Sequence, residues 1–251
     1  MNSIIKNVGK LLPNVLKEPL IQIYQKWNSR IIWDKELIND LMEFFDLSYD
    51  ETLCMLKVGR RVVITQWDPK TDDEIKKFYE TVRYNAFSLA YWHMQRVQRK
   101  FRDTIIKISS GDVLDYGGIG DLCIKLAEKG LNVSYCDVRG QNMEFAKWLF
   151  KKRGYKIKVL DCEKDIDLLE EYDTILCIDV IEHIPHPEVV LNRLAMCLRT
   201  NRKLIITNLN CPGNDKNTPL HLKMDFDAEK LLNQSGLVKS EEYDWLWTKK
   251  H

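Results

Sequence analysis

D-V-L-D-Y-G-G-I-G-D, residues 112–121, decides how this 251-residue chain folds. An apolar run ends in Asp115 and Tyr116, turns through glycines at 117, 118 and 120, and reaches Asp121 where a helical pattern begins. The stretch reads as a strand, a tight turn and a helix N-terminus. Glycines in such a turn adopt positive φ without strain and let the backbone approach a ligand, while the helix start offers free N–H groups to an anion.

Downstream the same unit recurs. Apolar runs at N-V-S-Y-C-D (132–137), K-I-K-V-L-D (156–161), D-T-I-L-C-I-D (173–179) and K-L-I-I-T-N (203–208) alternate with helical patterns near 120–130, 141–153, 164–171, 186–199 and 226–235. Strand–helix alternation implies right-handed βαβ units, hence an α/β fold with a doubly wound, mostly parallel, Rossmann-like sheet. The tail V-K-S-E-E-Y-D-W-L-W-T-K-K (238–250) reads as a terminal hairpin, which brings the strands to seven.

Upstream the periodicity is helical. Residues 34–46 put Leu37, Ile38, Leu41, Phe44 and Phe45 on one stripe behind an N-cap at Asp34. Ser48/Glu51 and Thr71/Glu74 have capping-box spacing, the second ahead of a long pattern from Ile75 to about Ile108 with a break near Asn85. The expected organisation is a helical region, 1–109, covering the site, and a ligand-binding α/β domain, 110–251.

Composition narrows the class. Lys and Arg number 38 against 37 Asp and Glu, and 45% of residues are hydrophobic, so the chain builds a core and lacks the basic excess of a nonspecific nucleic-acid binder. The seven cysteines are scattered with no C-x-x-C pair, which predicts reduced thiols and a cytoplasmic setting. No run of 18 apolar residues is free of charge, so no transmembrane segment is expected; residues 1–24 are expected to pack on the helical region, with a weak peripheral membrane contact as the alternative. Nothing in the sequence sets an oligomeric state.

Ligands of a doubly wound sheet bind beyond the carboxyl ends of its strands. Four such ends carry suitable residues: Asp115–Asp121; Asp137 with Val138, 22 residues after Asp115; Asp161 with Cys162; and I-D-V-I-E-H-I-P-H-P, 178–187. An acid ending the second strand can accept from both ribose hydroxyls. A glycine turn and a downstream acid also suit a nicotinamide enzyme. The fourth element separates the two readings.

Together, V-L-D-Y-G-G-I-G-D, Y-C-D-V-R-G-Q-N-M-E-F-A-K, V-L-D-C and D-V-I-E-H-I resemble the class I S-adenosylmethionine-dependent methyltransferases over roughly residues 110–240. The segment 221–237 is similar to the late helix of the small-molecule, ubiquinone-pathway branch. The resemblance implies that Asp137 holds the ribose, Gly117, Gly118 and Gly120 the methionine end, and Asp161 with Cys162 the adenine; Asp115, Tyr116, Val138 and Asp179 complete the cofactor set. The usual loop is D-x-G-x-G-x-G. Here one residue is missing, so the loop is tighter and the glycine that touches the cofactor is not identified by sequence.

A neutral hydroxyl acceptor must lose its proton to a base or to a metal that lowers its pKa. Asp179, Glu182 and His183 are spaced i, i+3, i+4, which places them on one face of a helical turn, and His221 follows the fifth strand on the same rim. The pattern is similar to the E-x-x-E-H…H metal site of plant small-RNA 3′-terminal methyltransferases and to ubiquinone-pathway O-methyltransferases, with Asp179 in place of the first Glu. The four are therefore expected as ligands of a divalent cation (Zn, Mn, Fe or Mg), with Glu182, His183 and His221 catalytic; the bland alternative is that they only order the loop. Tyr84, Tyr91 and Trp92, in an aromatic stripe from Phe78, are expected to line the acceptor pocket, whereas His93 and His186 read as structural or exposed. The expected activity is methylation of a small molecule at oxygen. The alternatives are an RNA or lipid methyltransferase, and a regulatory protein that binds the cofactor without catalysis.

Overall fold

The computed structural model describes residues 30–165, 171–216 and 218–250. The apolar runs form β1 (Asp112–Tyr116), β2 (Asn132–Asp137), β3 (Lys158–Asp161), β4 (Tyr172–Cys177) and β5 (Leu198–Ile206), and the tail forms β6 (Leu237–Lys239) and β7 (Leu246–Lys249). They make one seven-stranded sheet in the order β3-β2-β1-β4-β5-β7-β6. β1 to β5 pair in parallel, and β7 lies antiparallel to both β5 and β6. The chain thus reverses direction across the sheet between β1 and β4, where a doubly wound fold opens its ligand cleft.

Among the described residues the helices are α1 (Lys35–Phe45), α2 (Tyr49–Thr65), α3 (Asp72–Thr81), α4 (Asn85–His93), α5 (Arg96–Ile108), α6 (Asp121–Glu128), α7 (Gln141–Arg153), α8 (Pro187–Cys197) and α9 (Ala228–Gln234). The local signals formed as expected. Asp34 accepts from Leu37 N at 3.1 Å, Ser48 and Glu51 close a capping box, and Thr71 accepts from Glu74 N at 3.3 Å. The long pattern from Ile75 divides into α3, α4 and α5. One break is at Tyr84, whose φ is +67°, and the other is at Met94–Gln95. The helical pattern expected near 164–171 falls largely outside the described residues, as does the segment 1–24.

The strands alternate between two cores, because successive side chains face opposite sides of a sheet. Val113, Tyr135, Leu176 and Ile205 face α1, α4, α6 and α7, whose Leu37, Phe87, Ile124 and Phe145 join them in one cluster. Leu114, Cys136, Ile175, Cys177, Leu204 and Ile206 face α8 and α9 through Leu191, Leu194 and Leu232. The N-terminal helices therefore share the hydrophobic core of the sheet's first face. No helix among the described residues is long and apolar enough to cross a membrane.

Candidate active site

In the loop after β1 the three glycines differ in what surrounds them. Gly117, Gly118 and Gly120 have φ of +94°, +91° and +76°. A Cβ on Gly117 would meet Val180 at 2.4 Å, and one on Gly120 would meet Ala146 and Phe150 of α7 at 2.8 Å. Those two glycines are required by packing. A Cβ on Gly118 meets nothing within 4 Å, so Gly118 faces open space. Beneath the loop Asp115 is buried, and Cys123 Sγ donates to its Oδ2 at 3.1 Å. Burial pushes its carboxyl up to about 7.

Asp137 ends β2 beside that open space. Its Oδ1 accepts from Val138 N at 2.8 Å and its Oδ2 from the Tyr135 hydroxyl at 2.6 Å; Gly118 O lies 3.0 Å from the same hydroxyl. Tyr135 thereby ties Asp137 to the glycine loop. Burial raises Asp137 to about 6, against the lowering pull of Tyr135 and Val138. Asp161, at the end of β3, is engaged differently: it pairs with Arg139 Nε at 2.5 Å and accepts from Glu163 N at 3.1 Å. Cys162 N donates to Asp137 O at 2.9 Å, and burial lifts its thiol to about 12. Tyr116 is buried and hydrogen-bonds this thiol.

Beyond β4 the chain makes a 3-10 turn, Ile181–His183, preceded by Asp179 at φ +53°. The helical face that would align Asp179 with Glu182 and His183 therefore does not form. Trp92 Nε1 donates to Asp179 Oδ2 at 3.0 Å; Thr207 Oγ1 and Asn208 Nδ2 donate to Oδ1 at 2.9 and 3.0 Å. Glu182, His183 and His221 do come together, each offering a ligand atom within 4.8 Å of the others. His183 Nδ1 lies 3.1 Å from Leu220 O, which accepts its proton and leaves Nε2 with a lone pair. Both Nε2 atoms stand 4.0 Å from Glu182 Oε1. Leu222 N donates to Glu182 O at 2.7 Å, pinning the His221 loop to the turn.

Burial dominates the electrostatics of this cluster. Glu182 is 1% exposed, and burial, reinforced by Asp179, raises it to about 8. Its Oε2 is buried without a hydrogen-bond partner. Burial lowers His183 to about 4. A buried neutral imidazole and a carboxyl with an orphan oxygen, converging with a second imidazole, form a donor set that a divalent cation fits.

A family model described as a methyltransferase domain matches residues 90–247. The chain belongs to this methyltransferase family. It is similar to ubiquinone biosynthesis O-methyltransferases: 31% identical over 134 residues to that of Rickettsia conorii, covering 53% of this chain and 46% of the relative. To that of Aeromonas salmonicida it is 24% identical over 168 residues, covering 61% and 68%. The chain spans about half the length of the Rickettsia relatives it matches. Among solved structures, its fold is similar to that of an S-adenosylmethionine-dependent methyltransferase from Clostridium acetobutylicum, with TM-score 0.50, 17% identity, and coverage of 67% of this chain and 99% of that one. The strand order, the glycine turn and the family match agree on a class I methyltransferase.

The helical region of the methyltransferase meets this rim through α3. Lys76 pairs with Glu163 after β3 at 2.6 Å, and Asp72 with His186 after β4 at 3.0 Å. A Cβ on Gly140, after β2, would meet Tyr79 O at 2.7 Å, and Leu220, after β5, packs against the cluster that contains Phe78. One helix thus touches the loops following four strands.

Of the aromatics singled out from sequence, Trp92 reaches the site through Asp179. Tyr84 packs on Phe45 and Phe87, ring centroids 6.1 Å from each, and Tyr91 on Trp33 at 6.4 Å. Tyr79, Tyr135, Thr207 and Asn208 escaped sequence reasoning; for the last two the signal was present, as the T-N that ends the fifth run on the same rim. His93 is half-buried: its Nδ1 lies 3.1 Å from Asp121 Oδ2, which also takes Arg102 at 2.6 Å. Burial works against the Asp121 charge, but Arg102 and His93 outweigh it and hold the carboxyl well below its usual range. His186 is exposed, as expected.

Proposed function

We propose that this chain transfers the methyl group of S-adenosylmethionine to an oxygen of a small-molecule acceptor in the cytoplasm, with a divalent cation held by Glu182, His183 and His221. The observation that carries the reading is the convergence on one rim of an open glycine face at Gly118, a strand-end acid at Asp137 and the acid–histidine cluster. The relatives named as ubiquinone biosynthesis O-methyltransferases support oxygen as the target.

In this reading Asp137 accepts from the ribose hydroxyls, the loop at Gly118 and the N-terminus of α6 receive the methionine end, and Asp161 and Cys162 flank the adenine. The cofactor supplies a methyl group on a sulfonium, displaced in line by the acceptor oxygen. The protein's own contribution is alignment, exclusion of water and removal of the acceptor proton. The Nε2 atoms of His183 and His221, each 4.0 Å from Glu182 Oε1, can take that proton when no ion is bound; with an ion bound the same atoms would be its ligands, and the proton of the acidified hydroxyl would pass to solvent. Two imidazoles and one carboxylate favour Zn, Mn or Fe over Mg. A vicinal diol or catechol-like acceptor would suit such an ion, whose chemistry is to acidify a bound hydroxyl. The described helices before β1, residues 30–109, form the acceptor-side cover, closed by α3.

Calorimetric titration tests the cofactor: S-adenosylmethionine binds and NAD does not, and the reverse result would remove the central claim. Metal analysis, then formation of S-adenosylhomocysteine from S-adenosylmethionine with a catechol as acceptor, before and after chelation, tests the rest. Turnover indifferent to chelation, with no metal co-purifying, would reduce the cluster to a structural loop.

A further inference from the structure

Two side-chain oxygens facing the same rim are buried without hydrogen-bond partners: Glu182 Oε2 and Tyr79 Oη. Leaving one such group unpaired is costly, and beside a candidate site a ligand is one way the bond is completed. Tyr79 lies in the last turns of α3, with its ring edge-on to His183 at 5.9 Å. Its carbonyl lies against Gly140, a close approach that only glycine permits, so the residue is seated on the loop that follows the ribose-side acid. Tyr79 therefore bridges the loop after β2 and the acid–histidine cluster, beside which the methyl-transfer reading puts the acceptor. Around it Phe78 and Trp67 stand at 5.1 and 6.0 Å, with Leu220 packed alongside, so its hydroxyl is the polar feature of an aromatic wall.

We propose that Tyr79 is a specificity residue: its hydroxyl donates to a second oxygen of the acceptor, adjacent to the hydroxyl held by Glu182, His183 and His221. This rests on the methyl-transfer reading above and adds to it the group that selects an oxygen pair over a lone hydroxyl. Asp179, a carboxylate that accepts from Trp92, Thr207 and Asn208, has no proton to donate in this role.

The test is Tyr79→Phe, which keeps the ring and deletes only the hydroxyl. Wild-type and variant proteins, saturated with S-adenosylhomocysteine and Zn²⁺, are titrated calorimetrically with catechol and with phenol, so no turnover is required. The wild type is expected to bind catechol at least ten-fold more tightly than phenol. In the variant that ratio falls below about three-fold through weaker catechol binding, while affinity for S-adenosylhomocysteine stays within two-fold. The melting temperature of the ligand-free variant should equal or exceed that of the wild type, because the deleted hydroxyl has no partner to lose. An unchanged catechol-to-phenol ratio, or a variant that melts several degrees lower, overturns the assignment. If the wild type shows no preference for catechol yet methylates a lone hydroxyl, the Tyr79 proposal falls and the methyl-transfer reading stands. If it binds no S-adenosylhomocysteine, both fall.

Discussion

The indole N–H of Trp92 donates to Asp179 Oδ2 across 3.0 Å, joining the last turn of α4 to the end of β4. This bond explains the division of labour among the acids of the fourth strand end. Asp179, held by three side-chain donors and placed at φ +53°, organises the loop, while Glu182 keeps an oxygen free.

Cation binding follows from that division. Glu182→Gln should weaken Zn²⁺ or Mn²⁺ binding by two orders of magnitude, since it removes the only carboxylate of the three-residue cluster. Asp179→Asn keeps the acceptor oxygen for Thr207 or Trp92 and should change metal affinity by less than about three-fold. Equal losses in the two variants, measured by competition against a metal indicator, would return Asp179 to the ligand set.

Cofactor binding should report the titration of Asp137. Ribose hydroxyls donate to the carboxylate, so binding favours its ionised form. With the free carboxyl raised to about 6, affinity for S-adenosylhomocysteine should be flat above pH 7 and about ten-fold weaker at pH 5. Asp137→Asn should cost about 1.5–3 kcal/mol of binding at pH 7.5 and flatten the profile. Stability moves the other way. A carboxyl whose folded pKa is raised contributes stability below its unfolded value near 3.8 and loses it as pH rises through about 6, so the ligand-free variant should melt no lower than wild type at pH 7.5.

The two kinds of glycine should separate by readout. Gly120→Ala drives a methyl into Ala146 and Phe150 and should lose about 2–4 kcal/mol of stability. Gly118→Ala meets no neighbour, so it should lose about 1–2 kcal/mol through its positive φ alone. Its larger effect should be on cofactor affinity, because the methyl enters the open face. Denaturant unfolding beside calorimetry checks both; a stable Gly120→Ala protein would mean that α7 yields.

The helix α3 should behave as a lid. Its two ion pairs contribute about 0–1 kcal/mol each, so what opening must overcome is mainly the small apolar contact made by Ile75, Phe78 and Tyr79. Hydrogen exchange should show α3 amides slowing when S-adenosylhomocysteine and catechol bind, and Lys76→Ala should raise exchange there by up to about five-fold in the free protein. Exchange in α3 that ignores both ligands and the substitution would make it a fixed wall.

How much of this was legible in the chain depends on distance along it. Strand and helix positions, the caps at Asp34, Ser48 and Thr71, the glycine turn and Asp137 at a strand end are local facts, fixed by periodicity and turn chemistry within a few residues. The terminal hairpin was legible too, though its insertion of β7 between β5 and β6 was not.

The sequence by itself determined the α/β sheet, the cleft at its switch point and the residue types along the rim, because hydrophobic period and glycine placement act locally. Only the tertiary structure decided which of those residues meet. A three-residue 3-10 turn in place of a helical one removed Asp179 from the acid–histidine cluster and gave it to Trp92, 87 residues away. Packing of α7 claimed Gly120 and Val180 claimed Gly117, leaving Gly118 to the open face. The seating of α3 on Gly140 brought Tyr79, and not Tyr84 or Tyr91, to the cluster. Each of these outcomes depends on contacts between segments distant in sequence, which no local pattern encodes.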